Sequence, residues 1–143
     1  MKDHGYTLLE ILVVLFLLSI ILLISIPNFT RSINNNDVNY FFEQLEKDLY
    51  STQMKAISES LTLRFLFSND TSKYTIVQGI TPLEERQFPK GMIVEKGTLG
   101  LNDLRFLPVG TLSNSGSIFF YYKEDRYELI FQFVRGRFYI EKR

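Results

Sequence analysis

Hydrophobic and polar positions divide the chain into three regimes. From Ile11 to Ile26 every residue is apolar except Ser19 and Ser25. Extended back to Tyr6, this run reaches about 31 Å as a helix, the thickness of a bilayer's hydrocarbon core. It predicts a membrane-spanning helix over 6–33, closing in Ile26-Pro27-Asn28-Phe29 without the small-residue cleavage site of a secretory signal. Pro27 lacks an amide donor and should bend that helix. A polar patch with Asn34, Asn35 and Asn36 follows. Then Val38, Phe41, Phe42, Leu45, Leu49, Ala56 and Ile57 recur mainly at steps of three and four, with Glu43, Glu46, Lys47, Asp48 and Lys55 between them. This predicts an amphipathic helix over 34–60, of about six turns. Asp37 is placed to cap its start, and its stripe is expected to pack on the chain's own core.

Beyond Leu61 the period changes to two. Segments such as LTLRFLF, KYTIVQ, RQF, MIVE, LRFL, SIFFYY, RYELIFQFV and RFYIE are short, aromatic or β-branched, and separated by turn formers. They predict an antiparallel meander over 61–143. Tyr127, Leu129, Phe131 and Phe133 share one face, and Glu128, Ile130, Gln132 and Val134 the other, as in a sheet covered on one side by a helix. Arg135-Gly136 reads as a two-residue hairpin turn and Lys123-Glu124-Asp125 as a looser one. The expected class is α+β: a long N-terminal helix, membrane half then amphipathic half, packed on an antiparallel sheet. Residues 1–5 precede it as a short leader.

With 143 residues, one modest domain with a real core is expected once the membrane segment is set aside. Basic and acidic side chains balance at 16 each, which removes the net basic footprint of a dedicated nucleic-acid binder. There is no cysteine, and the single histidine is His4, inside the leader. Histidine-dependent acid–base catalysis and Cys/His metal centres are therefore excluded for the chain after residue 5, and no catalytic, cofactor-binding or metal residue is assigned. Glu84-Glu85 and Glu124-Asp125 lack ligand spacing and read as solvated turn charges. Gly97-Thr98-Leu99-Gly100 lacks the lysine and helix of a phosphate loop. Arg135, Arg137, Lys142 and Arg143 alternate with Phe138 and Tyr139 in a way that could touch single-stranded DNA. The same pattern is that of an ordinary closing hairpin, and this is the preferred reading.

One residue breaks the apolar logic. Glu10 stands at the head of the spanning run, where a carboxylate in hydrocarbon costs about 2.5–3.5 kcal/mol unless paired or near the interface. It can snorkel to the near surface. Alternatively, cleavage after Gly5 would place a new α-amine on Tyr6, and the amine of one subunit could meet the Glu10 carboxylate of another within a bundle of such helices. A glycine suits the cut because a protease must approach the backbone closely there.

Gly5-Tyr6-Thr7-Leu8-Leu9-Glu10 followed by the apolar run resembles the processing motif of type IV pilins and pseudopilins. The resemblance implies a membrane-embedded prepilin peptidase that cuts between Gly5 and Tyr6 and methylates the Tyr6 amine. It makes Glu10 the carboxylate that guides assembly and Pro27 the helix-bending proline. The region LRFLPVGTLSNSGSIFFYYKEDRYELIFQFVRGRFYIE is similar to the C-terminal sheet of H-type minor pseudopilins, and the small cysteine-free chain to minor pseudopilins of Gram-positive DNA-uptake machines. The chain is accordingly expected to be a non-enzymatic structural subunit of a competence pseudopilus. Implied partners are other major and minor pseudopilins, the peptidase, an assembly ATPase, a polytopic platform protein, and membrane lipid before assembly. The expected topology is single-pass in the cytoplasmic membrane, N-terminus inside, in keeping with the weak positive bias of Lys2 and the terminal amine, and cell-surface once assembled. Two rivals stand beside it: the equivalent subunit of a type II secretion system, and a single-pass anchored β-domain that binds or senses a ligand.

Overall fold

The computed structural model describes residues 8–132 and 136–143, the side chains of 22–36 excepted. Helix α1 runs Leu8–Ser58. Eight strands follow: β1 Leu63–Ser68, β2 Lys73–Gln78, β3 Thr81–Gln87, β4 Met92–Lys96, β5 Arg105–Phe106, β6 Gly116–Tyr122, β7 Asp125–Phe131 and β8 Phe138–Lys142. The chain forms two compact units, one up to Asn39 and one from Tyr40 to Arg143.

Both helical stretches lie in the one α1, which continues through Pro27 and Asp37. Asp37 is thus a mid-helix residue and not an N-cap. The asparagines beside it cost only a few tenths of a kcal/mol each in a helix, too little to interrupt one that is strong on both sides. α1 ends where Ser60 turns to φ 54°, with the Leu61 amide donating to the Ala56 carbonyl at 3.0 Å, a left-handed cap.

The strands do not form a meander. They make two four-stranded antiparallel sheets, in the orders β3-β2-β1-β5 and β4-β6-β7-β8. β5 returns to β1, pairing Leu63 with Phe106, while β4 pairs with β6. The crossing depends on segments rich in turn formers that nevertheless carry buried leucines: Leu99, Leu104 and Leu112 are each no more than 2% exposed. The Phe65 and Phe67 amides donate to the Leu104 and Leu101 carbonyls, extending β1's pairing into that loop. Alternation of apolar residues identifies strands, but the partner of a strand is set by such anchors. β3 is longer than the expected RQF and includes Glu84 and Glu85, which are therefore strand residues and not turn charges. Its Pro82 and its charges are tolerated because β3 is an edge.

Within the C-terminal unit, α1 supplies Phe41, Phe42, Leu45, Leu49 and Ala56, all buried, while Ile57 remains 44% exposed. Phe41 joins both sheets: its ring centroid is 6.0 Å from Tyr74 of β2 and 6.1 Å from Phe120 of β6. Phe67 of β1 meets Phe120 edge-on at 5.8 Å. Each such ring contributes on the order of 1.5–3 kcal/mol by leaving water. On β7, Tyr127, Leu129 and Phe131 face inward as expected; Phe133 and Val134 lie outside the described residues.

The two hairpin turns exchange character. Tyr122 pairs with Asp125, so Lys123-Glu124 is a tight two-residue connection, with Lys123 at φ 56°. The β7–β8 connection is the longer one, because the Gln132 amide donates to the Arg137 carbonyl at 2.8 Å. Gly136 does take a positive φ, 61°; Arg135 lies outside the described residues.

Candidate processing and assembly site

Gly5 and Tyr6, the expected cleavage pair, lie outside the described residues. Glu10 is in the first described turn of α1 and exposed. Around it Leu8, Leu9, Ile11 and Leu12 are 84%, 75%, 54% and 63% exposed. The apolar side chains continue outward on all sides as far as Ile21, and Ser19 returns its hydroxyl to the Leu15 carbonyl at 2.9 Å. A contiguous apolar surface of this kind marks contact with lipid or with another protein. Among the described residues no helix is long and apolar enough to cross a membrane; the Tyr6–Ile26 run extends past the described side chains at both ends.

The C-terminal unit contributes a second feature, which the sequence reading placed on the solvent side. Asp48 is 4% exposed. Its Oδ2 accepts from the Tyr74 hydroxyl at 2.7 Å and lies 3.2 Å from Arg86 Nε, and its Oδ1 accepts from Gln44 Nε2 at 2.8 Å. Thr52 donates to the Asp48 carbonyl at 2.6 Å, and Arg86 also pairs with Glu84 at 2.8 Å. One carboxylate thus ties α1 to β2 and β3. Burial above all, and then the bond to Asp48, raise the Tyr74 phenol well above its ordinary value. The sequence did carry a signal: Asp48 is seven residues after Phe41 and three after Leu45, on the apolar face by helical period.

The C-terminal basic residues do not form an open cationic patch. Lys142 pairs with Asp125 at 2.8 Å, and this bond raises its ammonium pKa. Arg143 lies 3.1 Å from Glu128 and 3.6 Å from Glu141, which offsets the direct opposition of those two glutamates across β7 and β8. Arg126 covers the Phe119 ring at 4.6 Å. Among the described residues of the expected cluster, Arg137 has no carboxylate partner. Gly97-Thr98-Leu99-Gly100 lines the end of β6, where Thr98 Oγ1 accepts from the Ser117 amide at 2.9 Å.

Residues 1–26 match the family model for the prokaryotic N-terminal methylation motif. Over 98 residues the chain is 35% identical to competence protein ComGD of Bacillus subtilis (strain 168), covering 68% of this chain and 66% of that one. Over 31 residues it is 58% identical to competence protein ComGC of the same organism, covering 22% and 32%. The matches thus span just under two thirds of the first relative and about a third of the second. Among solved structures, the minor pseudopilin EpsH from the type 2 secretion system of Vibrio cholerae superposes with a TM-score of 0.59 at 12% identity, covering 73% of this chain and 96% of that one. That likeness establishes the fold. With the methylation motif at the head of an apolar helix and a ComGD-like sequence behind it, the chain is similar in motif, in sequence and in fold to type IV pilins and pseudopilins.

Proposed function

We propose that the protein is a minor pseudopilin of a competence pseudopilus, a structural subunit serving DNA uptake in transformation. The observation that carries this reading is the 35% identity to ComGD over 98 residues. In this reading, prepilin peptidase cleaves between Gly5 and Tyr6 and methylates the new amine. The subunit then waits in the cytoplasmic membrane, single-pass, with its N-terminus inside and its C-terminal unit outside. The exposed apolar side chains from Leu8 to Ile21 are solvated first by lipid and then by the helices of other pseudopilins as the fibre grows. Glu10 meets a neighbouring subunit's terminal amine, neutralising two charges that would otherwise be costly in hydrocarbon. Pro27 supplies a bend. An assembly ATPase and a platform protein drive insertion, and the fibre reaches the cell surface.

Deletion of the gene tests the cargo. Transformation should be lost and restored by the wild-type copy; normal transformation with a lost protein-secretion phenotype would assign the subunit to a secretion machine. The intact mass of the membrane-extracted chain tests processing. It should correspond to a chain starting at a methylated Tyr6, and a mass retaining Met1–Gly5 in cells that possess the peptidase would leave the anchored β-domain as the better reading.

A further inference from the structure

Like charges stand directly opposite each other at two places in the described strand pairings. One is Glu128 against Glu141, and there Arg143 lies 3.1 Å and 3.6 Å from the two carboxylates. The other is Arg64 of β1 against Arg105 of β5. The Phe65 amide donates to the Leu104 carbonyl, so the adjoining pair, Arg64 with Arg105, is of the non-hydrogen-bonded kind, in which Cα atoms approach to about 4.5 Å and side chains come closest. Opposed like charges destabilise such a pair. Among the described residues neither guanidinium has an ion pair or a hydrogen bond.

The surroundings offer this pair no carboxylate. Across the sheet its row reads Pro82, Val77, Arg64, Arg105. Glu84 and Glu85 of β3 are held by Arg86 and Lys73. Asp103, the acid nearest to Arg105 in sequence, lies against Gly100 and pairs with neither arginine. Instead, Arg64 and Arg105 line a cleft of about 210 Å³ with Thr62 and with Gly79 of the β2–β3 turn. The cleft is open, since Thr62, Gly79 and Arg105 are exposed and Arg64 is half-buried. It lies on the face of β1 opposite to the buried Leu63, Phe65 and Phe67. The acidic pair is compensated within the chain; the basic pair is left for a counter-charge from outside.

We propose that this cleft binds a phosphate group, the phosphodiester of a DNA strand lying across the outer face of β1 and β5. Geometry selects phosphate over carboxylate. A carboxylate is planar, and one guanidinium fork occupies both of its oxygens; a tetrahedral phosphate presents separate oxygens to two forks and to the Thr62 hydroxyl. Openness selects a polymer over a free ion. Exposed groups in high dielectric hold a lone ion weakly, whereas a strand that continues to other contacts adds each small contact to the rest. The choice of DNA among phosphate polymers rests on the competence reading above. Two arginines answer one phosphate, so the contact is local and indifferent to base sequence, as befits a chain whose charges balance overall.

Full-length protein reconstituted at high density in phosphatidylcholine vesicles presents many copies to one strand, and co-flotation of a labelled DNA fragment reads the contact. Arg64→Gln with Arg105→Gln should lower the retained DNA roughly tenfold at low salt. Lys90→Gln with Lys96→Gln removes the same charge from two exposed lysines that have no ion pair among the described residues, and should change retention less than about twofold. Arg105→Gln alone should not lower the urea midpoint, because it relieves an opposed like charge, so lost retention is separable from lost folding. No retention by the wild type, an equal loss in the lysine control, or displacement of DNA by inorganic phosphate but not by chloride of the same ionic strength would each overturn the proposal, the last by assigning the cleft to a free anion. In a deletion strain the double arginine variant should restore transformation at least tenfold less well than the wild-type gene. Full restoration by that variant overturns the DNA site and leaves the competence reading standing, whereas a deletion strain that transforms normally overturns the reading itself.

Discussion

α1 passes through two environments with the same backbone. From Leu8 to Ile21 its apolar side chains are exposed on every side, Phe16 by 64%; from Tyr40 onward Phe41 and Phe42 are 6% and 8% exposed, and Glu43, Glu46 and Lys47 stand among the buried positions that follow. Both stretches form the same hydrogen-bonded helix, so backbone structure does not distinguish them. The arrangement of side chains around the axis does. A stripe of apolar residues can be buried by one sheet, whereas a helix apolar all round needs an environment that surrounds it. The C-terminal half is therefore stable in the company of its own chain, and the N-terminal half requires lipid or other helices.

The sharpest way to break this contrast is to remove a ring from the buried side. Phe120 is fully buried against Phe41, Phe42 and Phe67. Phe120→Ala should cost about 3–5 kcal/mol, the lost transfer energy plus the cavity left behind. Urea unfolding in detergent, followed by tyrosine fluorescence because the chain has no tryptophan, measures it. A loss below about 1 kcal/mol would mean that the helix and sheets do not share a close-packed core.

Asp48→Ala should cost about 2 kcal/mol. It strands the Tyr74 hydroxyl in a dry place, while the half-buried Gln44 amide and Arg86, 40% exposed, are partly rehydrated. A smaller effect concerns alkaline pH. Because the Tyr74 pKa is raised in the folded state from an ordinary value of 10.0, its contribution is fully present below about pH 10. It is lost as pH rises further, since ionisation is easier in the unfolded chain. A pH titration of unfolding should show stability falling above pH 10, less steeply in Tyr74→Phe; equal slopes would remove Tyr74 from the account.

These three residues also show where the sequence was legible. The periodicities of three to four and of two located α1 and most strands, because local side-chain alternation follows directly from burial on one face. Asp48 sat on the apolar face of the helical period, yet its charge suggested water; its partners Tyr74 and Arg86 come from strands 26 and 38 residues away, which no local pattern reveals. The crossing of β4 and β5 was hidden for the same reason, since Leu99, Leu104 and Leu112 act from within loops. The methylation motif in residues 1–26 was readable because it is written in adjacent residues and needs no tertiary partner to be recognised. Whether the C-terminal basic residues were free was not readable: Asp125 and Glu128 neutralise Lys142 and Arg143 only once β7 and β8 are paired.

The smallest expected effect sharpens the comparison from the other side. Phe16→Ala deletes a ring as large as that of Phe120, from a position that is 64% exposed in the same helix. The unfolding free energy of the Tyr40–Arg143 unit should change by no more than about 0.5 kcal/mol, because nothing buried there loses a contact. What the ring does lose is about 2 kcal/mol of contact with whatever surrounds the N-terminal half. Retention of the variant in membranes, or its recovery in sheared fibres alongside other subunits, should therefore fall while its denaturation curve overlays the wild type. A displaced denaturation curve would mean that this half of α1 contributes to the stability of the C-terminal unit, and the two halves would no longer be independent in what they need.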